Sequence, residues 1–162
     1  MLIKNQNAPK YRGLPYGKAT VGDCGCEAIA VYNALKLLGC GVPFEDIIAG
    51  FEALFKKGGG LLAGGRLGAM PIDVRRVLES RGLNPEGGFL KKLSEIKTEG
   101  VFIITYWNKP VKHGLHTVAV RFDGVSYTAY NLGSGEKSAE SITELIPDKK
   151  HFFYGYYMKK GH

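Results

Sequence analysis

Two cysteines one residue apart, Cys24 and Cys26, open an alanine-rich run, and His116 opens an apolar one far downstream. A thiol and an imidazole make an effective nucleophile and base when the ring takes the thiol proton. With Cys40 the cysteines number three, an odd count from which no disulfide framework is expected. From Cys26 to Leu38, the residues Ala28, Val31, Leu35 and Leu38 repeat at helical spacing, Ile29 and Tyr32 broaden the face, and Gly39 stands where a cap belongs. The cysteines therefore begin a mostly buried helix, whose dipole and unpaired N–H groups favour thiolate over thiol. Cys26 lies more directly at the helix start and is the preferred nucleophile, with Cys24 the alternative. Gly25 leaves room for a substrate backbone. Glu27 stands both as a first-turn acid favoured by the dipole and as a candidate substrate contact.

Two strands, 116 to 122 and 125 to 132, flank Asp123-Gly124, a dipeptide typical of two-residue hairpin turns. Such a turn pairs residues whose numbers sum to 247, so Phe122 faces Val125, Val120 faces Tyr127, Val118 faces Ala129 and His116 faces Asn131. Opposed residues share a face with β-carbons about 4.5–5.5 Å apart. An imidazole beside an amide at the end of an apolar face points to mutual service: the Asn131 oxygen fixes the His116 tautomer and leaves the other ring nitrogen free to react. The apolar face below them is expected to be covered by the alanine-rich helix.

The remaining elements have to hold these groups. Residues 1 to 22 read as an irregular lead-in. A second helix follows Pro43, with Phe44, Ile47, Ile48, Phe51, Leu54 and Phe55 inward. A third runs from Pro71 to Arg81 with Ile72, Val74, Val77 and Leu78 as its apolar positions, and a short one covers 90 to 96. Residues 101 to 107 read as a central strand ending at Trp107, a candidate wall of the cleft, and 152 to 158 as a last aromatic strand buried on both sides. Helices first and sheet second predict one α+β domain over 1–162, the nucleophile helix packed on a C-terminal antiparallel sheet.

Several function classes are disfavoured. The net charge is +7, but the lysine pairs are scattered, whereas a nucleic-acid groove needs basic residues that converge with stacking aromatics, which argues against nucleic acid as a partner. No apolar run is long enough to span a bilayer and no signal peptide opens the chain, so a cytoplasmic location without membrane association is expected, unless another machinery exports it. The glycine-rich stretch from 58 to 68 has the Gly60 and Gly65 spacing of a phosphate loop, yet Arg66-Leu67 stands where Lys and Ser or Thr are needed. It reads as a flexible loop beside a cleft. A zinc set of Cys24, Cys26, His113 and His116 has too tight a Cys-x-Cys spacing and leaves Asn131 idle; His113 is expected in a loop. No metal and no cofactor are expected.

The segment Gly25-Cys26-Glu27-Ala28 resembles the Gly-Cys-x-Ala opening of the central helix in papain-like cysteine peptidases, and His116-Thr-Val-Ala-Val through Asn131 resembles their histidine strand and orienting residue. In the register of Asp23-Cys24-Gly25 the chain is similar to the bacterial domains that cleave double-glycine leaders. The resemblance covers residues 18 to 132. It implies a papain-like fold, a Cys26-His116-Asn131 triad and hydrolysis of an amide in a peptide or protein substrate, or related acyl transfer or deamidation by an effector or toxin. The family carries a glutamine shortly before its nucleophile, where this chain has Lys18 and Thr20. That departure motivates the alternative, a non-catalytic papain-like binding module.

Overall fold

The computed structural model describes residues 1–60, 65, 67–108, 114–133, 135–146 and 152–161. The chain begins with helix α1 (Pro9–Arg12), a two-stranded ribbon of β1 (Pro15–Tyr16) and β2 (Ala19–Thr20), and helix α2 (Val21–Cys24). Three longer helices follow, α3 (Cys26–Leu37), α4 (Phe44–Lys56) and α5 (Pro71–Ser80). Strand β3 (Glu86–Gly88) and helix α6 (Leu90–Ser94) lead to β4 (Gly100–Trp107), β5 (Leu115–Phe122), β6 (Tyr127–Leu132) and β7 (Gly135–Ala139). Helix α7 (Ile142–Leu145) and strand β8 (Phe152–Lys159) complete the order. The last six strands form one sheet in the order β3-β8-β4-β5-β6-β7, with every neighbouring pair antiparallel. The fold class is α+β, with the long helices preceding the sheet.

Alanine content explains the place of α3. Ala28, Ala30 and Ala34 let neighbours approach closely, and the helix is buried on nearly every side, as few amphipathic helices are. It packs with Phe44, Ile47, Phe51 and Phe55 of α4, with Val74 and Val77 of α5, and with one face of the sheet represented by Val101, Ile103, Tyr156 and Met158. Ile72, expected among the apolar positions of α5, is instead 49% exposed.

The opposite face has its own core. Val118, Val120 and Phe122 of β5 and Tyr127 and Ala129 of β6 pack with Leu93, Ile142, Leu145 and Ile146. The expectation that α3 covers this face is therefore corrected. Side chains alternate along a strand, and α3 meets β5 through the other set, Thr117 and Ala119.

The hairpin also departs from expectation. Phe122 pairs with Tyr127 and Val120 with Ala129, two residues out of the predicted register. The Asp123 N–H donates to Ser126 O at 3.3 Å and its Oδ1 accepts from the N–H groups of Val125 at 3.0 Å and Ser126 at 2.9 Å, so the tight turn falls one residue further on, at Gly124-Val125. A slip of two preserves parity, so each residue keeps its face.

Residues 1 to 22, expected to be irregular, carry four of the elements named above, and Ile3, Tyr16 and Val21 are fully buried. Asn33 of α3 holds the segment by its main chain: Ile3 N–H donates to Asn33 Oδ1 at 2.8 Å, and Asn33 Nδ2 donates to Ile3 O at 2.7 Å. Among the described residues no helix is long and apolar enough to cross a membrane.

Candidate functional site

Helices α2 and α3 abut at Gly25. A β-carbon there would lie 2.6 Å from Val21 Cα, so glycine is what lets one helix pass directly into the next.

Cys26 is the first residue of α3 and is 4% exposed. Burial pushes its thiol well above the ordinary range, the neighbouring Glu27 carboxyl pushes the same way, and the main-chain N–H of Thr117 opposes both. Loss of water thus opposes the thiolate that the helix start was expected to favour. The contact with Thr117 nevertheless locates the thiol: it meets β5 at the peptide that joins Thr117 to His116.

Cys24 is half-buried, and its Sγ lies 3.9 Å from the Gly65 carbonyl oxygen. Burial first, then Glu27 and Asp23, raise its thiol to about 12, against a hydrogen bond from the Gly68 N–H. Cys24 therefore turns to the glycine-rich segment, and Cys26 is the cysteine on the histidine strand.

Glu27 is 3% exposed, and burial lifts its carboxyl from 4.5 to about 8 although its own N–H and that of Ala69 favour the charged form. Gly68, at φ 90°, closes over it, and a β-carbon there would stand 2.8 Å from Glu27 Oε1 and 2.9 Å from the Cys24 oxygen. Sealed in this way, Glu27 is no substrate contact in this state. Glu27 Oε2, Tyr16 Oη and Asp73 Oδ1 are buried without a hydrogen-bond partner among the described residues.

His116 Nε2 lies 2.8 Å from the main-chain oxygen of Asn131. A carbonyl only accepts, so Nε2 carries the hydrogen and the basic nitrogen of the neutral ring is Nδ1. Burial lowers the pKa of the ring from 6.5, and the carbonyl partly offsets this. Tyr106, the cross-strand partner of His116, packs edge-on against it at 5.6 Å between ring centres. Burial raises the Tyr106 phenol, and the charge of a Cys26 thiolate would raise it further.

Asn131 reaches His116 by a different atom from the one expected. Its φ is 65°, the only left-handed non-glycine residue among those described, at a shift of register between β6 and β7. That turn aims its carbonyl at His116 and its amide away. The amide meets Gln6: Gln6 N–H donates to Asn131 Oδ1 at 2.9 Å, and Asn131 Nδ2 donates to Gln6 Oε1 at 3.2 Å. Trp107 pairs with Leu115 at the end of β4 and packs edge-on against Phe153 at 6.2 Å.

Gln6, Tyr106 and Thr117 went unnoticed in the sequence. Gln6 had one available signal, as the only glutamine in the chain. His113 and five residues of the glycine-rich stretch (61–64 and 66) lie outside the described residues, and with His113 the zinc set does too. Among the described residues no three of His, Cys, Asp and Glu gather as a metal ion requires. No protein-family model and no curated protein matches this chain.

Proposed function

We propose that this protein is a papain-like cysteine hydrolase acting on an amide bond of a peptide or protein, with Cys26 as nucleophile and His116 as base. The observation that carries the proposal is the contact of the Cys26 thiol with the Thr117 N–H, which sets a helix-start cysteine against the peptide bond that His116 shares. The Nε2–H tautomer, held by the Asn131 carbonyl, supplies the free Nδ1 that a base needs. The resting pair is a neutral thiol and a neutral imidazole. Reaction begins as Nδ1 takes the thiol proton and sulfur attacks the acyl carbon. The S–C bond forms, the C–N bond breaks, the proton passes to the leaving amine, and water or another acceptor then resolves the thioester. First-turn N–H groups of α3 are the donors for the oxyanion.

The burial of Cys26 favours a second reading, a papain-like binding module without catalysis. Iodoacetamide labelling mapped by mass spectrometry separates the two. The hydrolase reading expects slow labelling of Cys26 that falls about tenfold or more in His116→Ala, with labelling of Cys24 unchanged. Cys26 inert in both proteins, or labelled equally in both, leaves the binding module. Peptide cleavage lost in Cys26→Ala and kept in Cys24→Ser extends the first outcome to activity.

A further inference from the structure

We infer that Gln6 is a positioning residue of this site, tying the turn that carries the cysteines to the residue that holds His116. Three hydrogen bonds converge on it. Its main-chain N–H donates to Asn131 Oδ1 at 2.9 Å, its Oε1 accepts from Asn131 Nδ2 at 3.2 Å, and its Nε2 donates to the Gly22 oxygen at 3.0 Å. Gly22 belongs to α2, the helix that ends at Cys24.

Asn131 needs such a partner. It is 1% exposed, so its amide has no bulk water to turn to, and its left-handed backbone is disfavoured for any residue with a side chain. Gln6 takes both ends of the amide and so selects the backbone twist. That twist decides where the Asn131 carbonyl points, and the carbonyl accepts the His116 Nε2 hydrogen at 2.8 Å. Gln6 thus sets the imidazole tautomer without touching the ring. The arrangement also explains why a segment so distant in sequence is fastened at a second point, Ile3 on Asn33. Fastened there, Gln6 arrives at Asn131 already placed.

For its catalytic consequence this inference rests on the hydrolase proposal, but its geometry is read without any substrate. The first measurement is nitrogen-15 NMR of the histidine ring in wild type, Gln6→Ala, Gln6→Glu and Lys4→Ala. Gln6→Glu keeps the acceptor for Asn131 Nδ2 and loses the donor to Gly22. Lys4→Ala breaks only the exposed ion pair with Glu136 and controls for general loosening of the segment. Wild type and Lys4→Ala are expected to show His116 as the Nε2–H tautomer. Gln6→Ala is expected to show mixed tautomers with the His116 titration moved further below 6.5, because the carbonyl that supports the charged ring is lost, and Gln6→Glu to fall between. With an active substrate, kcat falls about tenfold in Gln6→Ala at unchanged KM, as for the loss of one hydrogen bond that orients a base. An identical tautomer and titration in wild type and folded Gln6→Ala overturns the inference, as does an equal change in Lys4→Ala. If His116 responds as expected while the Cys26 labelling is independent of His116, the positioning role stands and the hydrolase proposal falls.

Discussion

At the level of single residues, the chemistry is governed by burial. Glu27 illustrates the sign: its carboxyl titrates near 4.5 in the unfolded chain and near 8 in the fold. Between those values the unfolded state gives up its proton first, so stability is full below pH 4.5 and falls as pH rises towards 8, by a few kcal/mol, roughly. Glu27→Gln is expected to remove most of that slope and to raise the urea midpoint at pH 8.5 while leaving it nearly unchanged at pH 5, which parallel urea titrations at the two pH values would read. His116 has the opposite sense. Its pKa is depressed, so the labelling of Cys26 that depends on it is expected to persist at neutral pH and to be lost only as pH falls below 6.5, a profile measured on the Cys24→Ser background. His116, Asn131 and the cysteines were legible in the sequence because their types are chemically distinctive. The state of the thiol was not, since a helix start predicts a dipole and says nothing of how much water the surrounding fold removes.

Between elements, the contact of α3 with β5 is the joint that matters. The buried hydroxyls of Thr105 and Thr117 lie 3.0 Å apart across β4 and β5, on the face that meets the helix. Thr117→Val is expected to cost about 1–2 kcal/mol by stranding the Thr105 hydroxyl, and the double substitution to valine to recover much of it, since two apolar groups need no partner. A double-mutant cycle in urea measures this. The longer helices and strands β4 to β6 were legible from periodicity, with α3 and β4 each within one residue of the bounds read. The hairpin register was not, because Asp123 binds Ser126 and moves the turn on to Gly124-Val125, a choice that Asp-Gly alone does not announce. The left-handed turn at Asn131 was equally hidden, and it converts an expected side-chain contact with His116 into a main-chain one.

For the molecule as a whole, the sheet separates two cores, and its strand order has a consequence beyond the site. The helix-then-sheet division was readable from composition along the chain, whereas the second core was not, since Leu93, Ile142 and Leu145 come from short helices that periodicity hardly marks. Strand β8, the last of the described strands in sequence order, lies inside the sheet between β3 and β4, pairing Gly100 with Lys159. Deleting residues 152–162 is therefore expected to abolish cooperative unfolding followed by circular dichroism, rather than trim an edge. On the ribosome the same order leaves the apolar strand β4, with Val101, Phe102, Ile103 and Ile104, bare along one side until β8 has emerged. An unpaired apolar edge exposed for that long is a template for aggregation. Successful biogenesis thus depends on shielding nascent β4, and expression at low temperature or with a holdase chaperone is expected to raise the soluble yield more than any change at the surface.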